Sequence, residues 1–196
     1  MRLDHWSAAV LCGGRSTRMG SDKALLPGPD GPWAAGVAAA IRAAGIDDVS
    51  FVGGDATALA VHGPVIEDDD PGAGPLAAVA TFARRRPGRS ILVCACDLPA
   101  LDAPSLRPLL EAVERGDRGV TPLVEGRPAW SVLALSAGGA AAVCVAVEAG
   151  ARALHEGAAA AGVVGLDLPV RPFVDVDTPG EGTGRGPVPP EPCTEG

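Results

Sequence analysis

Residues 11–27, LCGGRSTRMGSDKALLP, combine small and basic residues of the kind that bind phosphate. Gly13 and Gly14 carry no side chains, so their backbone N–H groups can approach an anion closely. Arg15, Arg18 and Lys23 could offset the charge of a triphosphate, and Lys23 is the only lysine of the chain. The segment contains neither G-x-x-x-x-G-K-[ST] nor G-x-G-x-x-G. Its residue types predict either a different phosphate-binding loop or a flexible basic loop in solvent.

Carboxylates follow two further apolar runs. Residues 65–79, VIEDDDPGAGPLAAV, place an acidic run before the glycines that open a predicted helix. Such a run is also typical of a solvated turn. Residues 91–101, ILVCACDLPAL, end a predicted strand with Asp97. Mg²⁺ prefers one or two carboxylates together with substrate phosphates, so Asp97 is either a magnesium ligand or a cap of the following turn.

The elements that must position these residues follow from hydrophobic patterning. Short β-rich runs alternate with alanine-rich stretches, which is typical of βα units around a parallel sheet. The predicted strands are 8–12, 49–52, 64–66, 91–95, 130–135 and 162–166, and the predicted helices are 33–44, 76–85, 104–115 and 139–149. The fold class is therefore α/β, Rossmann-like, with three α/β/α layers and a mainly parallel sheet. In such sheets, ligands bind beyond the carboxyl ends of the strands.

Composition limits the classes of function. The chain of 196 residues is 47% hydrophobic, which suits one domain; we expect it at 1–180, followed by a disordered Gly/Pro-rich tail at 181–196. A net charge of −8 argues against nucleic acid or an anionic membrane as partner. The first residues lack the pattern of a signal peptide, which predicts a cytoplasmic protein. Five cysteines without a CxxC pair predict buried free thiols rather than a zinc site.

The sequence resembles the MobA-like nucleotidyltransferases, above all the molybdenum cofactor guanylyltransferases, over roughly residues 7–180. Their signature loop, L-A-G-G-x-S-x-R-M-G-x-D-K-x-L, is matched from Leu11 to Leu25 with Cys12 in place of alanine. The acidic segment ending in Gly74-Pro75-Leu76, the C-x-x-D-x-P motif around Asp97, and FVDVDTPGE at 173–181 resemble three further motifs of that family. So long a match at fixed spacing favours the phosphate-binding interpretation of the loop.

The resemblance implies transfer of GMP from GTP to the terminal phosphate of molybdopterin carrying molybdenum (Mo-molybdopterin), with release of pyrophosphate. It implies Mg²⁺ as cofactor, GTP and Mo-molybdopterin as partners, and no nucleic acid or membrane. We expect a monomer or weak homo-oligomer. The resemblance assigns catalysis to Arg18, Lys23 and Asp97, with Asp97 also binding the metal, and acceptor binding to Asp175 and Asp177. It assigns nucleotide binding to Leu11, Cys12, Gly13, Gly14, Lys23, Gly53, Asp68, Gly74 and Asp97. The guanylyltransferases often have asparagine at the positions of Gly53, Asp175 and Asp177.

Two alternatives stay open. The first is a molybdenum cofactor cytidylyltransferase or another MobA-like NTP transferase. The cytidylyltransferases usually have L-A-A-G at the start of the loop, so Gly13 favours guanine. The second is a nucleotide-binding regulatory protein that has lost catalysis, against which the presence of Lys23 and Asp97 argues.

Overall fold

The computed structural model describes residues 3–13, 22–28 and 31–174. In these ranges the strands are β1 (Trp6–Leu11), β2 (Pro27–Gly28), β3 (Gly31–Pro32), β4 (Val49–Val52), β5 (Val65–Ile66), β6 (Ser90–Ala95), β7 (Gly119–Val124), β8 (Arg127–Pro128), β9 (Val132–Leu135) and β10 (Val163–Asp167). The α-helices are α1 (Trp33–Ala43), α2 (Ala56–Leu59), α3 (Pro75–Arg85), α4 (Ala103–Glu114), α5 (Ala137–Glu148) and α6 (Leu154–Ala161).

Eight of these strands form one sheet in the order β10-β7-β9-β6-β1-β4-β5, with β8 paired to β7. The neighbours β6, β1, β4 and β5 run parallel, as do β7 and β10. Strand β9 lies between β6 and β7 and is antiparallel to both. The carboxyl ends of β1, β4, β5 and β6 therefore meet at one edge, and the amino end of β9 meets them there.

Helices cover both faces of the sheet. Alternate strand residues face opposite layers: Ala8 and Val10 pack with α1 and α4, whereas Ala9 packs with α3 and α5. Strand β6 is buried along nearly its whole length because both of its faces are covered. This arrangement confirms the predicted α/β/α layers and the mainly parallel sheet.

The structure contains elements that the sequence patterns did not predict. Strand β7 was missed because Pro122 interrupts its apolar run, and proline is unfavourable inside a sheet. The short helices α2 and α6 were also missed, since alanine and glycine dominate α6 and give it little amphipathic pattern. A 3₁₀ turn (Lys23–Leu25) and the β2–β3 hairpin stand in the long connection between β1 and α1. The predicted tail at 181–196 lies outside the described residues.

No α-helix among the described residues combines the length and apolar character that crossing a membrane requires.

The predicted burial of the cysteines is confirmed for Cys12, Cys94 and Cys96, and Cys144 is partly buried. Burial raises the pKa of the Cys94 and Cys144 thiols.

A charged network ties together the sheet edge at the amino ends of β1 and β4. The guanidinium of Arg86 donates to both carboxylate oxygens of Asp48, at 2.9 and 3.1 Å, and the Ser7 hydroxyl donates to Asp48 Oδ2 at 2.7 Å. Arg89 Nε donates to the Ser7 hydroxyl at 2.6 Å. Burial opposes the charge of Asp48, but these hydrogen bonds and the two arginines outweigh it, so the pKa of Asp48 lies below its usual value.

We expect Asp48→Asn to lower the free energy of unfolding by about 1–2 kcal/mol at pH 7, a figure kept small because the Asp48 side chain is 36% exposed. A depressed carboxyl pKa stabilises the fold above the pKa of the unfolded chain, about 3.9, and this stability is lost as the pH falls through the folded pKa. The difference in free energy of unfolding between wild type and Asp48→Asn should therefore be constant from pH 7 to about pH 5 and become smaller at lower pH. Urea unfolding across this range measures it. Asp117→Asn, at an exposed site, is the control. A difference in free energy of unfolding that becomes larger as the pH falls would contradict the expectation.

Candidate functional site

Glycines let the segments that follow the paired strands β1 and β4 approach each other closely. Gly53 has a φ of +72°, and a Cβ placed on it would lie 3.1 Å from the Cα of Gly13. Gly54 has a φ of +76°, and its Cβ would lie 2.9 Å from the Cβ of Cys12. Both positions therefore require a residue that tolerates left-handed backbone without a side chain. The result is a stretch of exposed main chain just beyond the two strands.

A cavity of about 700 Å³ opens at this edge, and we call it the glycine-lined cavity. Its wall combines strand ends with the segment that leads into α3. The lining residues are Leu11, Gly13, Gly53, Gly54, Ala56, Val65, Ile66, Glu67, Asp68, Pro71, Gly72, Gly74, Pro75 and Ala78. It thus brings together five of the predicted nucleotide-binding positions, which are Leu11, Gly13, Gly53, Asp68 and Gly74. The volume is within the range of small-molecule sites.

Asp68 is held in place at the wall of this cavity. The Thr81 hydroxyl donates to Asp68 Oδ1 at 3.3 Å, and the N–H of Asp70 donates to the same oxygen at 3.2 Å. Thr81 lies on α3 and is buried, so a helix on one face of the sheet orients a carboxylate at its edge. Gly74 precedes α3 with a φ of +97°, and Pro75 begins the helix.

Lys23 and Asp97 form an ion pair beside β1 and β6. Lys23 Nζ donates to Asp97 Oδ2 at 3.4 Å, and both side chains are 19% exposed. Lys23 stands on the 3₁₀ turn, and Asp97 follows the buried strand β6. Lys23 is therefore mostly buried and paired, whereas residues 14–21 of the same loop lie outside the described residues. It also brings the only lysine of the chain to the predicted metal ligand.

The chemistry of Asp97 fits a magnesium ion. Among residues 3–13, 22–28 and 31–174, no group of three or more His, Cys, Asp or Glu is placed to hold a metal. Mg²⁺ does not need such a cage, because it keeps several waters and takes one or two carboxylates plus substrate phosphates. A single carboxylate two residues beyond a buried strand, next to an ammonium that also attracts phosphate, meets that requirement.

Several predicted positions are placed elsewhere or lie outside the described residues. The side chain of Cys12 points into the core, where it is 6% exposed, so only its main chain reaches the site. A hydrogen bond with the Cys96 thiol and burial raise the pKa of Cys12, which keeps this thiol protonated. Lys23 and Asp97 are not in the wall of the glycine-lined cavity, but Asp97 follows Cys96, whose N–H donates to the carbonyl oxygen of Leu11 in that wall at 3.2 Å. Gly14, Arg18, Asp175 and Asp177 fall outside the described ranges.

The role of Asp22 in holding the turn was not predicted from the sequence. Its carboxylate accepts hydrogen bonds from the N–H groups of Ala24 and Asp55. The first of these could have been predicted, because aspartate is a preferred N-terminal cap. The second joins residues far apart in the chain, and no local pattern signals it.

A second cavity, of about 450 Å³, lies around the β7–β8 hairpin and the start of β9, and we call it the Trp130 cavity. Its wall includes Arg127, Trp130, Ser131, Phe173 and Val174. The N–H of Ala95 donates to the carbonyl oxygen of Ser131 at 2.7 Å, so this cavity adjoins the end of β6. Asp97 therefore follows β6, which lies in the sheet between β9, on the side of the Trp130 cavity, and β1, on the side of the glycine-lined cavity.

Two relatives are similar to a little more than half of this chain. The chain is 39% identical over 106 residues to molybdenum cofactor guanylyltransferase of Xanthomonas euvesicatoria, a match covering 54% of this chain and 53% of that protein. It is 34% identical over 115 residues to a Carboxydothermus hydrogenoformans protein named "Probable molybdenum cofactor guanylyltransferase", covering 59% and 58% respectively. The matches thus span a little more than half the length of these relatives.

Solved structures share the fold at lower identity. Molybdopterin-guanine dinucleotide biosynthesis protein A from Archaeoglobus fulgidus superposes with a TM-score of 0.72 at 21% identity, over 90% of this chain and 94% of that one. A Mycobacterium tuberculosis protein crystallised in complex with manganese gives 0.59 at 21% identity, over 90% and 95%. Residues 8–163 match the family described as the MobA-like NTP transferase domain. This match extends over most of the chain, from β1 into β10, and the chain therefore belongs to the MobA-like NTP transferase domain family.

Proposed function

We propose that the protein transfers GMP from GTP to the terminal phosphate of Mo-molybdopterin. The observation that carries this proposal is the pairing of Lys23 with Asp97 at 3.4 Å, beside the glycine-lined cavity. A lysine at that place can hold phosphate oxygens as a compact charge. The names of the two relatives, at 39% and 34% identity, support the same nucleotide and acceptor.

The reaction needs no nucleophile from the protein. An oxygen of the acceptor's terminal phosphate attacks the α-phosphorus of GTP, a P–O bond forms, and the bond from the α-phosphorus to the α–β bridging oxygen breaks. Pyrophosphate leaves with that oxygen. Positioning and charge stabilisation account for catalysis of this kind. In this chain, Lys23 and Arg18 would neutralise the triphosphate, and the backbone N–H groups of Gly13 and Gly14 would face its oxygens.

Asp97 would hold the metal. A divalent ion is supported by the manganese complex of a protein with the same fold, and Mg²⁺ fits a single carboxylate that shares the ion with phosphates. When bound, the ion supplies charge neutralisation to the phosphates and orients them. The 19% exposure of both Asp97 and Lys23 strengthens their interactions with phosphate, because little solvent screens them.

The two cavities suggest separate places for the two substrates. We assign the nucleotide to the glycine-lined cavity, with Leu11, Gly53, Asp68 and Gly74 in its wall. We assign the acceptor to the side of the Trp130 cavity, whose wall ends at Phe173 and Val174. Of the proposed acceptor residues, Asp175 follows Val174 directly in the sequence and Asp177 lies two residues further on. Asp97, after the strand between these two groups of elements, would then be close to the reacting phosphates.

GTP with Mg²⁺ should raise the melting temperature more than CTP, ATP or UTP at equal concentration. A ligand that binds the folded state adds RT ln(1 + [L]/Kd), so a tenfold preference in affinity adds about 1.4 kcal/mol at saturation. That corresponds to about 2–4 °C for a chain of this size. Thermal unfolding with each nucleotide measures it, and calorimetric titration gives the Kd values. A preference for CTP would favour the cytidylyltransferase alternative and exclude the proposed nucleotide.

The remaining expectations stay predictions. They are a domain over 1–180 with a disordered tail at 181–196, a monomer or weak homo-oligomer, a cytoplasmic location, and the lack of a nucleic acid partner. Sedimentation of the full chain, alone and with duplex DNA, tests the oligomeric state and the nucleic acid prediction together.

A further inference from the structure

The carboxylate of Asp22 joins two segments of the site. Its Oδ1 accepts the N–H of Ala24 at 3.0 Å, inside the 3₁₀ turn that carries Lys23. Its Oδ2 accepts the N–H of Asp55 at 3.3 Å, and Asp55 directly follows Gly54 in the wall of the glycine-lined cavity. Asp22 and Asp55 are 33 residues apart, so this second bond is a tertiary contact.

We propose that Asp22 is a positioning residue that fixes the Lys23 turn against the wall of the glycine-lined cavity and thereby sets where Lys23 Nζ meets the triphosphate. This inference rests on the function proposed above, because it takes the ligand of Lys23 to be a nucleoside triphosphate. Asp22 itself acts through the backbone of two neighbouring segments and does not contact the reacting groups.

The hydrogen bonds inside the turn fix its shape rather than its place. Leu25 N–H donates to the carbonyl of Asp22 at 3.0 Å, and Leu26 N–H donates to the carbonyl of Lys23 at 3.2 Å. The turn is attached to the core by the side chain of Ala24, which is fully buried. The bond from Asp55 N–H to Asp22 adds an attachment to the cavity wall itself. Without that bond the turn keeps its attachments through Ala24 and through the ion pair of Lys23 with Asp97, but it loses this link to the wall.

The arrangement requires a carboxylate. The two N–H donors address different oxygens, and only an ionised Asp or Glu offers two acceptor oxygens without a donor. An asparagine would present its NH₂ group to one of the two N–H groups, so it can keep one bond and must lose the other. A serine can cap Ala24 N–H as an N-terminal cap does, but its single hydroxyl oxygen cannot reach both donors.

The alternative is that Asp22 only stabilises the turn. The two roles differ in their effect on ligands with and without phosphates. If Asp22 positions Lys23, its loss should weaken binding of GTP, which Lys23 contacts, and leave binding of guanosine unchanged. If Asp22 only stabilises the fold, its loss should lower the melting temperature without changing the ratio of the two affinities.

We would measure the affinities of Asp22→Asn and Asp22→Ser for Mg²⁺-GTP and guanosine by calorimetry, together with their melting temperatures. Asp22→Ser keeps the hydrogen bond to Ala24 N–H and removes only the one to Asp55 N–H. It therefore provides a folded protein for the measurement even if the asparagine variant folds poorly. Ser136→Ala, which removes the cap of α5 that accepts Gly139 N–H at 3.1 Å, is a matched control away from the site. All three variants should melt a few degrees lower than wild type.

The expected result for both Asp22 variants is about a tenfold loss of GTP affinity, with guanosine affinity within twofold of wild type. In a Lys23→Ala background, Asp22→Ser should cause no further loss of GTP affinity, because the two residues act through one contact. Equal weakening of GTP and guanosine, an unchanged ratio, or an additive loss in the double variant would overturn the inference. Wild-type protein that binds GTP no better than CTP would instead contradict the proposed function.

Discussion

Replacing Lys23 by arginine is expected to lower kcat/KM nearly as much as replacing it by alanine, by about a hundredfold or more. A lysine ammonium is a compact charge on a slim stem, whereas a guanidinium is broad and planar. Lys23 is 19% exposed, with Nζ 3.4 Å from Asp97 Oδ2, so a larger head group has to displace either Asp97 or the phosphates. The sequence points the same way, since the other fifteen basic residues are all arginine.

Steady-state kinetics of both variants decide this prediction. Arg115→Lys, the reverse exchange at a 66%-exposed position, is the control and should leave kcat/KM unchanged. An arginine variant that keeps more than about a tenth of wild-type kcat/KM, a loss below about 1.4 kcal/mol, would show that any cation suffices at this position.

The second large effect is expected for Asp97→Asn. The amide keeps the shape of the carboxylate but removes the anionic ligand for the metal, so turnover should fall at least about a hundredfold, or about 2.7 kcal/mol. The rate should stay low as Mg²⁺ is raised, because the variant lacks the charge that recruits the ion. Rates across a Mg²⁺ titration, with far-UV circular dichroism to verify the fold, measure this.

Asp117→Asn, a neutralisation at an exposed site, provides the matched comparison for charge. It should keep the wild-type rate and the wild-type Mg²⁺ dependence. If Asp97→Asn instead reaches the wild-type rate at high Mg²⁺, Asp97 contributes only to affinity for the ion, and if it turns over normally at all concentrations, the metal is held elsewhere.

Local sequence patterns predicted most of the strands and helices and the edge of the sheet where the site lies. The rule that ligands bind at the carboxyl ends of strands predicted that Gly13, Asp68 and Asp97 would lie at one edge of the sheet. The structure places all three there. Gly53 lies in the wall of the cavity, where its φ of +72° and its approach to Gly13 exclude most side chains. Its role in nucleotide binding stays a prediction.

Tertiary contacts account for what the sequence patterns could not supply. The position of β9 between β6 and β7 depends on pairing between strands far apart in the chain, and Pro122 in β7 obscured one of its partners. The inward orientation of Cys12 follows from the alternation of β1 and from the neighbouring Cys96. The ion pair of Lys23 with Asp97 joins residues 74 positions apart, and only the fold reveals it.

The most direct test of the proposed function is pyrophosphate release from GTP in the presence of Mg²⁺, with and without Mo-molybdopterin. An in-line transfer without a protein nucleophile predicts that pyrophosphate appears only when both substrates are present, in equal amount to a guanine dinucleotide product. GTP should support the reaction better than CTP. Absence of pyrophosphate with both substrates, or faster release with CTP, would contradict the proposed function.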